Sequence, residues 1–337
     1  MRVEGRELLA SASADATVRI WDPATGITER TLTGHTGSVR GVCAMRVEGR
    51  MLLASIGSDA TVRIWDPATG ITERTLTGHT GSVDGVCAVR VEGRELLAST
   101  GSDATVRIWD PATGAPERTL TGHTGWVRGV CAARAEGREL LASAGDDRTV
   151  RIWDPATGIT VRTLTGRTGV VWGVCAVRVE GRELLASTGS DATVRIWDPA
   201  TGITVRILTG HTGSVWGVCP VRVEDRELLA SAGADAAVRI WDPATGAPER
   251  ILTGHTGSVW GVCPAWPAGR AVLASTGTDA TVRIWDPATG RQIHVIPVHY
   301  AALGLASFND AFIAVGNIAG LLALSVTWAA RLPPPSR

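Results

Sequence analysis

The sequence predicts an all-β molecule of seven to eight four-stranded antiparallel blades, the first and last incomplete. Three observations carry that prediction. The chain superimposes on itself at a shift of 44 residues without insertion or deletion, and Trp-Asp returns at Trp21, Trp65, Trp109, Trp153, Trp197, Trp241 and Trp285. Each unit alternates β-branched runs with Gly- and Pro-containing turns and holds no helix-period segment. A period of this size, with Gly-His near one end and Trp-Asp near the other, marks the blades of a β-propeller, in which each unit buries its faces only against its neighbours.

One unit shows the elements in order. Ser38 to Arg46 is an apolar, β-branched strand, and Val47 to Arg50 supplies a turn with Gly49 where positive φ is needed. Leu52 to Gly57 makes a second strand, Asp59-Ala60 a tight turn, and Thr61 to Asp66 a third strand. Pro67-Ala68-Thr69-Gly70 then turns the chain into a fourth strand over Ile71 to Thr77, Pro presetting φ and Gly closing the turn.

Composition agrees with a globular β protein. Hydrophobic residues make up 44%, formal net charge is +0, and 40 Gly serve the turns. All 33 basic residues are Arg, balanced by 33 acids and spread through every unit, so no polyanion-binding face for nucleic acid is indicated. Cys43, Cys87, Cys131, Cys175, Cys219 and Cys263 occupy one place in successive units without CxxC spacing. They are expected as buried reduced thiols of a cytoplasmic protein, neither disulfides nor metal ligands. No cofactor is implied.

The sequence resembles the WD-repeat family over nearly its whole length. In that family Gly-His, a strand Ser, a turn Asp and the Trp form a hydrogen-bonded tetrad. The matching sets are His35, Ser55, Asp59, Trp65; His79, Ser99, Asp103, Trp109; and His123, Ser143, Asp147, Trp153. They continue with His211, Ser231, Asp235, Trp241 and His255, Ser275, Asp279, Trp285. Beside Ser187, Asp191 and Trp197 the histidine is replaced by Arg167, so that blade is either less well tied or held by an Arg167–Asp191 pair. Ser, His and Asp are also the side chains of a hydrolytic triad, but five identical active sites without a GxSxG elbow are not an enzyme's pattern. The chain is expected to be non-catalytic.

The ends are less regular. Met1 to Leu8 (MRVEGREL) repeats Val89 to Leu96 (VRVEGREL) with only the first residue changed, so the chain starts within a unit. The expectation is a GTG codon, Val within a reading frame and Met at a start, taken as the initiator of a longer bacterial gene; an in-frame stop codon just before Met1 would refute it. Residues 1–33 offer three strands; Gln292 to Val298 completes the seventh blade. His299 falls at the Gly-His position, and Ala301 to Ser307, Ala311 to Gly316 and Leu321 to Thr327 read as three further strands. The count favours eight blade positions with ragged ends; the alternative is a seven-fold ring in which Ala301 to Ser307 completes the first blade. Residues 1–330 are read as one domain and 331–337 as a tail. Ala311 to Ala330 carries no charge and is long enough to cross a membrane, but Gly316, Asn317 and Gly320 interrupt it where the repeat places a turn.

Individuality is concentrated in two columns. Five residues after each His, or after Arg167, stand Arg40, Asp84, Arg128, Trp172, Trp216 and Trp260; three residues after it stand Ser38, Ser82, Trp126, Val170, Ser214 and Ser258. By resemblance these columns line the rim of the central channel, with a charged sector of Arg40, Asp84 and Arg128 beside an aromatic arc of Trp126, Trp172, Trp216 and Trp260. Trp and Arg often dominate binding energy, so this rim is the expected docking surface for proteins or peptides on a monomeric scaffold. The alternatives are Trp side chains that plug the channel, a sugar or small ligand stacked on the same arc, and a regulatory domain cut from a larger signalling protein. His294 and His299, near Tyr300, are read as surface or end-blade packing.

Overall fold

The computed structural model describes residues 1–3, 6–21, 28–265 and 271–297, and the strands 302–308, 312–317 and 320–325. Among these residues there are strands and turns and no helix. Six four-stranded antiparallel sheets, each a meander in chain order, span Val39–Thr77, Val83–Leu120, Val127–Leu164, Val171–Leu208, Val215–Thr253 and Val259–Pro297. Two three-stranded sheets complete the set, one over Leu9–Thr33 and one over Ala302–Ser325.

The sheets follow one another in space as they do in sequence. The innermost strand Val83–Val91 packs on Val127–Ala135, and Val259–Ala265 packs on Ala302–Phe308. Leu9–Ala12 lies against Val39–Val47 on one side and against Phe312–Asn317 and Gly320–Ser325 on the other. The last sheet therefore stands between the seventh and the first, giving eight sheet positions with ragged ends. Ala302–Phe308 pairs with Phe312–Asn317 in its own sheet, which corrects the alternative in which that strand completes the first blade. A short hairpin, Arg2–Val3 with Arg6–Glu7, also adds to the three strands expected of the first blade; it repeats the register Arg90↔Glu95 and Val91↔Arg94.

The strands form where sequence and turn chemistry agree. In the hairpin joining Val39–Val47 to Arg50–Gly57, Glu48 (φ 49°) and Gly49 (φ 80°) both take the left-handed conformation, as a two-residue hairpin loop requires. The strand thereby begins at Arg50, two residues earlier than the apolar run alone indicates. Each second strand, such as Arg94–Gly101, is buried on both faces through Leu-Leu-Ala-Ser because neighbouring sheets cover both sides. Between the third and fourth sheets, Val89, Leu96, Ala98, Val106, Ile108 and Leu120 meet Val127, Leu141 and the indole of Trp153. Each such buried Leu or Ile contributes roughly 1.5–3 kcal/mol, so the sheets hold one another rather than standing alone. Polar contacts repeat the stitching, as where Arg118 Nε donates to Ala156 O at 2.8 Å and Arg46 N to Glu95 Oε1 at 2.8 Å.

All six thiols are free, but only Cys219 and Cys263 are buried by exposure; the other four are half-buried along the inner strands. That corrects the expectation of six buried thiols. Burial pushes Cys175 and Cys263 up to about 12, so both stay protonated. Val298, His299, Tyr300 and 326–337 lie outside the described residues, and no described helix is long and apolar enough to cross a membrane.

Candidate functional site

Two constellations of polar side chains recur at the end of the sheets where each innermost strand begins. The first ties each blade. Trp109 Nε1 donates to Ser99 Oγ at 2.8 Å, and Ser99 Oγ lies 2.9 Å from His79 Nε2. With Ser99 accepting from the indole, its own hydrogen goes to Nε2, which leaves the imidazole proton on Nδ1, 2.9 Å from Asp103 Oδ2. Asp103 also accepts from Thr80 N at 3.0 Å, Thr105 N at 3.1 Å and Thr105 Oγ1 at 2.8 Å. Burial raises the carboxyl, but these donors together hold it below its usual range. The same geometry joins His35, Ser55, Asp59 and Trp65; His123, Ser143, Asp147 and Trp153; His211, Ser231, Asp235 and Trp241; and His255, Ser275, Asp279 and Trp285. The Ser hydroxyls are fully buried and each is engaged by its own indole and imidazole, so none is presented as a nucleophile.

The fifth blade resolves its two alternatives. Arg167 Nη1 donates to Asp191 Oδ1 at 2.7 Å, and Nη2 donates to Ser187 Oγ at 2.8 Å and to the Ser187 carbonyl, while Trp197 Nε1 still reaches Ser187 Oγ at 2.8 Å. Burial lowers the guanidinium to about 10, countered by Asp191, so it keeps its charge. Arg167 Nε and Asp191 Oδ2 are left without hydrogen-bond partners.

The second constellation is the rim. Arg40, Asp84, Arg128, Trp172, Trp216 and Trp260 each stand second in an innermost strand and precede a glycine that lets neighbouring strands close; a Cβ on Gly85 would meet Arg128 O and Gly129 Cα at 3.4 Å. The rings of Trp172 and Trp216 lie 4.6 Å apart, and Trp216 and Trp260 stack at 5.6 Å with 17° between planes. Trp126 and Trp260 are exposed, Trp172 and Trp216 half-buried. The indole N–H groups of Trp172 and Trp216 find no acceptor. Ser38 and Ser258 lie within 3.3 and 3.5 Å of backbone carbonyls of the preceding sheet, Ala14 O and Ala234 O.

The expected charged sector divides differently. Arg40 Nε lies 3.4 Å from Asp84 Oδ1, and the Asp84 side chain is only 7% exposed, with Oδ2 unpartnered. Burial raises its carboxyl, partly offset by Arg40 and Arg128. Arg128, whose charge still acts on Asp84, also joins the aromatic arc, its guanidinium lying 4.3 Å from the Trp126 ring and 5.2 Å from that of Trp172. What holds it there is Asp146, which accepts from Nε and Nη2, both at 2.8 Å. Asp146 escaped the column analysis because it sits in the second turn, where other units carry Ser58, Ser102 and Ser190; the departure of Asp146-Asp147-Arg148 from Ser-Asp-Ala was its only signal.

At the other end of the innermost strands a cavity of about 390 Å³ is lined by Arg90, Glu95, Arg134, Glu139, Arg178 and Glu183. Its acids are already occupied: Glu95 and Glu183 accept backbone amides of Arg46 and Arg134, and Glu139 pairs with Arg134. Among the described residues no group of three His, Cys, Asp or Glu is placed to hold a metal.

Radially succeeding four-stranded sheets, each locked by a Trp-Ser-His-Asp chain, define a repeat-built β-propeller. The chain belongs to the WD-repeat family: the family described as WD domain, G-beta repeat matches residues 5–22, 26–66, 70–110, 114–154, 158–198, 202–242 and 246–286. One stretch is 54% identical over 41 residues, 12% of this chain and 9% of the relative, to nuclear distribution protein nudF 1 of Talaromyces marneffei. Another is 61% identical over 36 residues, 11% of this chain and 8% of the relative, to nuclear distribution protein PAC1-2 of Uncinocarpus reesii. The matches thus span less than a tenth of either relative. Both are fungal and lend no support to a bacterial gene.

Proposed function

We propose that the chain is a non-catalytic scaffold that binds other proteins or peptides through the rim on which Trp126, Trp172, Trp216 and Trp260 stand. The observation that carries this is the contact series Trp172–Trp216–Trp260, built from a column that the shared fold leaves free to vary, since the same place holds Arg40 and Asp84 elsewhere. Large aromatic surfaces with a polar handle supply binding energy at low entropic cost. The two relatives are named as nuclear distribution proteins, and membership of the WD-repeat family agrees with a role in binding other proteins. We place the scaffold in the cytoplasm, where six free thiols stay reduced.

The test is the double variant Trp216→Ala/Trp260→Ala, assayed for capture of protein partners and for thermal unfolding. Lost capture with an unchanged melt supports the docking surface. A collapsed melt makes the indoles core and refutes it. A sugar-binding reading has less in its favour, because Arg128 covers one face of Trp126 and Trp216 lies between two other indoles.

A further inference from the structure

We infer that the segment docked on this rim is acidic: a peptide whose carboxylates meet Arg148 and Arg40 while its apolar side chains lie on the Trp series. The inference rests on the docking reading above and adds its chemistry.

Charge on the rim is asymmetric once internal pairs are removed. Asp84 is buried beneath Arg40, and Asp146 is engaged at both oxygens by Arg128. The tetrad acids Asp59, Asp103, Asp147, Asp191, Asp235 and Asp279 are 4–8% exposed and accept hydrogen bonds within their own blades. Asp15, the remaining acid in these turns, is tied to Arg19. The cations differ. Arg40 touches Asp84 through Nε at 3.4 Å and its side chain is 45% exposed, so the guanidinium is open to a partner from solvent. Arg148 stands where six other blades have Ala16, Ala60, Ala104, Ala192, Ala236 and Ala280; it is exposed and has no ion pair or side-chain hydrogen bond among the described residues. It lies in the same turn as Asp146, whose amide bonds Trp126 O at 2.8 Å, so the turn that carries this unpaired arginine is tied to the backbone of the exposed Trp126.

The rim's own unpartnered polar atoms lie out of a partner's reach: Trp172 Nε1, Trp216 Nε1 and Asp84 Oδ2 are all shielded from solvent, so polar recognition falls to the exposed arginines. Carboxylates are acceptors only, and they suit the planar fork of a guanidinium. A basic partner would meet Arg40 and Arg148 and find no free acid.

The probe is acetyl-Gly-Glu-Leu-Glu-Pro-Glu-Leu-Glu-Gly-amide, compared with versions in which every Glu is Gln or every Glu is Lys, titrated into the full chain and followed by tryptophan fluorescence. Charge-assisted bonds predict the Glu peptide to bind about tenfold or more tightly than the Gln peptide at low salt. The preference should shrink as salt rises, and the Lys peptide should not bind. Arg148→Gln, which touches no core residue, should remove much of the preference with an unchanged melt. Equal binding of the Glu and Gln peptides, with both lost in Trp216→Ala/Trp260→Ala, overturns the acidic preference and leaves the docking surface standing. No binding by any peptide also overturns the acidic preference. Binding of the Glu peptide that survives the double Trp variant overturns both.

Discussion

In the blade Val83–Leu120 a neutral imidazole relays hydrogen bonds between a buried hydroxyl and a carboxylate; in the blade Val171–Leu208 a guanidinium does so with a permanent charge. His79 gives one proton to Asp103 and takes one from Ser99, so donors and acceptors match and Asp103 keeps four donors. Arg167 only donates: it reaches Ser187 and Asp191 but leaves its own Nε without a hydrogen bond, and Asp191 Oδ2 keeps only a 3.8 Å contact to Arg195 Nη2. The geometry of a blade thus tolerates either residue. What differs is the electrostatic consequence of losing it, because one tie is a relay of neutral groups anchored on an acid and the other a buried ion pair.

The largest expected effect follows from that difference. Arg167→Ala removes one partner of a buried ion pair and leaves Asp191 with the Thr193 amide and hydroxyl and a 3.8 Å contact to Arg195, which should cost about 3–5 kcal/mol. His79→Ala leaves Asp103 with its three Thr donors and should cost less, about 1–3 kcal/mol. Urea unfolding of the two variants measures both, and a costlier His79→Ala would mean the fifth tie is not the ion pair its geometry describes. Asp103→Ala comes next: His79, Thr80 and Thr105 lose their acceptor, and stability should fall by about 1–3 kcal/mol. An unchanged melting temperature would refute the relay as a source of stability.

How far the sequence revealed this depends on whether a feature repeats. The strand order, the tetrad positions and the eight sheet places are legible because the 44-residue period repeats the same local physics. The hairpin start at Arg50 was missed because positive φ at Glu48, a residue without a turn signature, lengthens the strand. On the rim, the columns named Trp172, Trp216, Trp260 and Arg128 but could not show that Arg128 packs on Trp126 and Trp172 as well as acting on Asp84. Its position depends on Asp146, eighteen residues away in another turn, and no column relates the two. Pairings between columns need coordinates.

Acidity separates the two kinds of tie more gently. Burial lowers His35, His79, His211 and His255, partly offset by their aspartates, so the folded chain holds these imidazoles neutral. The unfolded chain takes up protons first, at the ordinary value near 6.5. Stability from these blades is therefore complete above that pH and declines as pH falls from about 6.5 toward the lower folded values. Arg167 contributes nothing to that decline, since it is charged in both states throughout the window. Melting temperatures at pH 7.5 and 5.5 should show the loss, and an equal melt at both would refute it.

The smallest effect is expected from Arg167→His. It restores the residue that five blades use, lets Asp191 Oδ2 accept from Nδ1 and the Thr168 amide as Asp103 does in its blade, and relieves a buried charge. The two gains oppose the loss of an ion pair, so the change at neutral pH should lie within about 1 kcal/mol. The variant adds a proton-sensitive imidazole where there was none, so its stability should fall more steeply than that of the parent between pH 7.5 and 5.5. Parallel pH curves for the two proteins would mean that the guanidinium and the imidazole tie the blade in the same charge state, and the contrast drawn between the two regions would disappear.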